Sequence, residues 1–171
     1  MAAQAGQPET KTTRMQLTIA AIGQRMPAWV QTSWKEYARR FGRGVSLELK
    51  ELPLARRSKN SDVAALCQAE GEALLAAVPA GHRVIALDER GVPWSTAELA
   101  QQLELWMREE RGVCFLVGGP DGLPDCCREQ AQNVWALGRL TLPHPLVRTL
   151  LAEQLYRAWT ITQNHPYHRG G

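Results

Sequence analysis

The sequence predicts an α/β domain with a mostly parallel sheet and flanking helices. Short apolar runs alternate with stretches of helical periodicity along the whole chain. Several of these runs are apolar at successive positions, as in strands buried on both faces. Gly and Pro punctuate the joins.

The elements follow in order. Gln16 to Ile22 reads as a buried strand ending at Gly23. Pro27 opens a helix to about Phe41, with Trp29, Val30, Trp34 and Tyr37 at helical spacing, and Gly42 and Gly44 stop it. Val45 to Leu52 alternates apolar and polar, which predicts a half-exposed strand. A basic loop follows. Ser61 or Asp62 then caps a helix to about Val78, with Val63, Leu66, Ala69 and Ala73 on one face. Arg83 to Leu87 is a third strand, ending at Asp88, and Gly91 to Trp94 reads as a turn-rich loop. Thr96 caps a helix to about Arg111, with Leu99, Leu103 and Trp106 inward. Val113 to Val117 is a fourth strand, leading into Gly118-Gly119-Pro120-Asp121-Gly122. Asp125 starts a short helix to about Gln132, and Val134 to Leu137 is a fifth strand. Pro145 opens a long helix to about Thr162, with Val147, Leu150, Leu151, Leu155, Ala158 and Trp159 as its apolar stripe.

A length of 171 residues suits one domain, expected over 15–171 after a disordered extension over 1–14. A hydrophobic fraction of 44% excludes wholesale disorder. No apolar run approaches the ~20 residues of a membrane span, so no membrane association is expected. The first residues lack the apolar core of a secretion signal. Cys67, Cys114, Cys126 and Cys127 show no zinc-ligand spacing, so no metal is expected, and free thiols fit a reducing cytoplasm. Cys67 and Cys114 read as core residues.

The net charge of +3 conceals an uneven distribution. Residues 39–59 carry seven basic and two acidic groups, while 60–142 carry six basic and twelve acidic. Such clustering fits a patch that meets phosphate, against the plainer reading of a solvated face.

The glycine-rich stretch 118–122 follows a strand and precedes a helix, where open α/β sheets bind ligands. It is neither a dinucleotide fingerprint nor a P-loop, so a tight turn and a cofactor loop both remain open. The rigid Pro143-His144-Pro145 places His144 at a helix N-terminus, as a cap, a packing residue or a base. Glu153 and Arg157, four apart, read as a helix-surface ion pair. The tail over 164–169 concentrates His, Tyr and Arg.

Leu142-Pro143-His144-Pro145-Leu146-Val147-Arg148, Ala152 to Trp159 (AEQLYRAW) and Asn164 to Arg169 (NHPYHR) resemble the C-terminal signature of the ribosomal large-subunit methyltransferase H family. Gly118 to Gly122 and Met26 to Val30 (MPAWV) resemble it too, so the likeness runs from Met15 to Arg169. It implies an α/β-knot (SPOUT-class) fold and a cytoplasmic homodimer that binds S-adenosyl-L-methionine in the knot. The implied reaction methylates N3 of a pseudouridine in a 23S rRNA stem-loop of the assembled 70S ribosome.

Carried over, the cofactor would meet Leu87, Gly118, Gly119 and the loop Leu137, Gly138, Arg139, Leu140, Thr141 and Leu142. Gly138 departs from the family, which commonly has Ser there. The N3 proton would pass to His144, Tyr167 or His168, with Arg169 beside them as a cation. Arg148, Glu153 and Arg157 would face RNA, and Arg56, Arg57 and Lys59 would add sequence-independent rRNA affinity. The tail of one protomer is expected to complete the site of the other. The competing reading is a non-catalytic RNA- or ribosome-binding factor on a methyltransferase-like fold.

Overall fold

The apolar runs assemble into one sheet, described by a computed structural model covering residues 14–42, 44–109 and 112–170. The elements are β1 (Met15–Ile22), α1 (Ala28–Ala38), β2 (Val45–Leu52), α2 (Val63–Ala76), β3 (Arg83–Pro93), α3 (Thr96–Glu109), β4 (Gly112–Val117), α4 (Asp125–Gln130), β5 (Asn133–Ala136) and α5 (His144–Thr162). A 3-10 turn over Pro166–Gly170 follows. Residues 1–13, most of the expected extension, and Arg111, the expected end of the third helix, lie outside the described residues.

All five strands are parallel, in the order β2-β1-β4-β3-β5. Their carboxyl ends therefore share one edge, and the loops that follow them meet there. Alternation along β1 sorts the core into two layers. Leu17, Ile19 and Ala21 pack with α3 and α5 residues such as Leu103, Trp106, Leu151 and Leu155. Ala20 and Ile22 pack on the other face with Leu74 of α2 and Cys127 of α4. Among the described residues no helix is long and apolar enough to cross a membrane.

Four expectations need correction. β3 does not stop at Leu87: it bulges and pairs on with β5, Val92 against Trp135 and Pro93 against Ala136. β4 pairs with β3 only as far as Leu87, so the missing N–H of Pro93 breaks no second ladder. The buried face of α2 is Glu70, Gly71 and Leu74, while Val63 is 47% exposed. Gly71 is what lets α4 approach, since a Cβ there would lie 2.2 Å from Pro124 Cγ. Ser95, not Thr96, caps α3 through a reciprocal box with Glu98. Cys67 is only half-buried, its Sγ 3.6 Å from the Gly122 carbonyl.

Candidate functional site

The bulge of β3 and the loops after β4 and β5 enclose a cleft of about 700 Å³ at the carboxyl edge of the sheet. The glycine loop forms one wall. Gly119 and Gly122 pair across it, and Gly122 takes φ +80°, a conformation that favours glycine. A Cβ on Gly118 would lie 2.5 Å from the Gly122 backbone, so the loop can close this tightly only with glycine there. The opposite wall is the loop from Leu137 to His144. Of the nine residues expected to meet a cofactor, Leu87, Gly118, Gly119, Leu137, Gly138, Leu140, Thr141 and Leu142 line the cleft and Arg139 does not. Leu140 is 78% exposed, an apolar side chain left uncovered on the cleft wall.

The cleft also takes in Asp88, which sequence reasoning passed over as a strand end. Arg90 Nε lies 3.1 Å and Arg128 Nη1 2.8 Å from its carboxylate. Burial pushes the Asp88 pKa upward, but the hydrogen bonds from Arg90 and Arg128 outweigh it and hold the carboxyl below its usual range. Arg128 also donates to the Leu123 carbonyl and so ties the β3 bulge to the loop after β4. Only the spacing of an Asp and an Arg across 40 residues could have signalled this, and that is no local pattern.

His144 stands at the first position of α5, directly on the cleft. Its Nε2 lies 2.6 Å from the Ile22 carbonyl. A carbonyl only accepts, so Nε2 carries the proton and Nδ1 is left with a lone pair. Burial, and then the Arg148 cation, lower the His144 pKa, so the ring is neutral at pH 7.

Arg148 itself is wholly buried. Its Nη1 lies 2.5 Å from Glu51 Oε1, and its Nη2 donates to the carbonyls of Ile22 and Gly23 at 2.8 and 2.7 Å. The expectation that it grips RNA phosphate is therefore wrong: the guanidinium is spent on β1, β2 and α5.

The tail folds back on α5. Tyr167 meets Tyr156 edge-on at 4.8 Å and donates through its hydroxyl to Glu153 at 3.2 Å. Arg157 donates to the same Glu153 oxygen and lies 5.0 Å over the Tyr167 ring. Glu153 and Arg157 thus build a seat for the tail, rather than an exposed RNA contact. Burial, then hydrogen bonding with Tyr37, raises the Tyr167 pKa well above its usual value. Tyr167, His168 and Arg169 do not line the cleft of their own protomer.

The basic segment is largely satisfied within the fold. Arg39 and Arg40 both pair with Glu36. Lys50 donates to the Ala77 carbonyl at 3.2 Å. Arg57 pairs with Glu70 and Asp121, so its guanidinium is engaged within the fold. Arg56 and Lys59 are exposed on the loop after β2.

Residues 15–168 match the model of a family described as "Predicted SPOUT methyltransferase".

Proposed function

We propose, from the premise that the chain belongs to this SPOUT methyltransferase family, that it methylates N3 of a pseudouridine in 23S rRNA. The observation that carries this reading is the cleft, walled by the glycine loop and the 137–144 loop with His144 at its rim. The LPHPLVR and NHPYHR motifs support the narrower choice of nucleotide.

S-adenosylmethionine fits the residues present. The volume is right for a ligand of that size. Leu87, Leu137, Leu140 and Leu142 offer apolar faces to an adenine ring, and backbone groups of the two loops offer hydrogen bonds at its edge. When bound, the cofactor supplies an activated methyl group on a good leaving group.

What remains for the protein is alignment and proton removal. The loops fix the approach by using backbone rather than mobile side chains. Neutral His144, locked as the Nε2–H tautomer by the Ile22 carbonyl, directs its basic Nδ1 lone pair to the task of accepting the N3 proton. Arg148 Nη2 donates to the same Ile22 carbonyl that accepts from His144 Nε2, so it braces the ring through that shared acceptor. A homodimer in which the Tyr167-His168-Arg169 tail reaches the partner's cleft accounts for a tail that does not line its own.

The test is incubation with pseudouridylated ribosomes and labelled S-adenosylmethionine, with mapping of the modified nucleotide. Methyl transfer to N3 of one 23S pseudouridine is expected. Ribosome binding without transfer would establish the non-catalytic factor instead.

A further inference from the structure

Arg57 makes an unusual number of contacts for a residue on a loop, and it does not line the cleft. Its Nη1 donates to Glu70 Oε1 at 2.9 Å and to the Ala55 carbonyl at 3.0 Å. Its Nη2 donates to Glu70 Oε2 at 3.2 Å and to Asp121 Oδ2 at 2.6 Å, which Nε also reaches at 2.9 Å. One planar fork therefore bridges a carboxylate on α2 and a carboxylate on the glycine loop.

Glu70 is only 5% exposed. Its Oε1 also accepts from the Ala55 N–H at 2.9 Å. The glycine loop lies directly against it: a Cβ on Gly119 would sit 3.0 Å from Glu70 Oε2 and 3.2 Å from Ile22 Cγ2. A carboxylate buried there is tolerable only with a paired cation. Without Arg57, Glu70 would have to find water, and the glycine loop stands beside it.

We infer that Arg57 is a positioning residue for the cofactor loop, clamping Gly118–Gly122 to α2 and to the chain after β2. The inference deepens the proposed function and rests on it for the identity of the ligand. Because Arg57 does not line the cleft, any effect it has on the ligand must pass through the loop.

Two readouts test the clamp on Arg57→Ala, and the first of them also on Asp121→Ala, which removes one arm at an exposed position on the cleft wall. In the ligand-free protein, amide hydrogen exchange over 118–123 should quicken roughly tenfold in Arg57→Ala, with β1 and β4 protected as before. In calorimetry with S-adenosylmethionine, Kd should weaken about tenfold, as a small displacement of a positioning loop entails. The double variant should exchange within about twofold of Arg57→Ala, since both changes cut one contact. If Arg57→Ala does not fold, Asp121→Ala decides by hydrogen exchange over 118–123, with an effect about half as large on a logarithmic scale. Unchanged exchange and unchanged Kd, with weaker ribosome binding and a flatter salt slope, would overturn the clamp and return Arg57 to RNA. Failure of the unsubstituted protein to bind S-adenosylmethionine would strike the functional reading alone, and the exchange measurement would still decide the clamp.

Discussion

Replacing Arg148 by Met tests whether its charge serves the fold or RNA. The substitution keeps an unbranched chain of similar reach and deletes three bonds, to Glu51, Ile22 and Gly23. Hydrogen bonds to a charged group are each worth about 1.5–3 kcal/mol, so a simple sum is near 5–9 kcal/mol. That sum overstates the loss. Glu51 is 23% exposed and can turn to water, its carboxylate keeps the Gln31 amide, and the Ile22 carbonyl keeps His144. A loss of about 3–4 kcal/mol remains, close to the lower figures for breaking a buried ion pair. For a domain of this size that lowers Tm by on the order of 10 °C. Urea unfolding should show a lower midpoint with an unchanged slope. Methylation should fall further than stability explains, because the Ile22 carbonyl that orients His144 loses the guanidinium that fixes it. A loss below about 1 kcal/mol, with ribosome affinity falling instead, would refute the reasoning.

Other outcomes follow from the same geometry. His144 has a folded pKa below its unfolded value of 6.5, so the acid limb of kcat/KM should lie below pH 6.5. The sign for stability is the same: below about pH 6.5 the unfolded chain takes up the proton first, and His144 costs stability as pH falls. An acid limb above 7 would remove His144 as the base. His144→Ala should lower kcat by about 10²–10⁴-fold with cofactor affinity intact, as measured by single turnover and calorimetry. Gly118→Ala should abolish cofactor binding while leaving far-ultraviolet dichroism unchanged, since its Cβ would meet the Gly122 backbone at 2.5 Å. Deleting residues 167–171 should abolish methylation and spare cofactor binding. Mixing that deletion with His144→Ala should restore part of the activity, because a mixed dimer would hold one intact cleft facing one intact tail. No restoration would argue for a tail acting in its own protomer.

Local pattern was enough for the elements whose partners are local. β2 was legible to the residue, because alternation over Val45–Leu52 needs only the sheet to make sense. The cleft loops were legible because Gly118–Gly122 and Leu137–Leu142 are contiguous. What failed was everything decided at long range. Arg148 looks like a surface cation until Glu51 and two carbonyls of the β1 end are placed against it. The α2 face was misjudged because its buried side includes Glu70, which only Arg57 makes tolerable, and Gly71, which only α4 makes necessary. β3 was cut short because Gly91 and Pro93 signal a turn, whereas the strand needs Gly91 to clear β5: a Cβ there would lie 2.6 Å from Val134.

α5 carries His144 at one end and the tail seat at Glu153 further along. Nine helical steps separate them by about 14 Å along the axis, at 1.5 Å each. The helix is thus a fixed spacer between His144, the proposed proton acceptor, and the residue that docks the tail. Its length is consequently less free to drift than that of any loop around it. Inserting one residue between Leu151 and Ala152 would turn the seat by about 100° and push it 1.5 Å further away. Such an insertion would leave the cleft whole and misdirect the tail, a fault that no substitution within either site would repair.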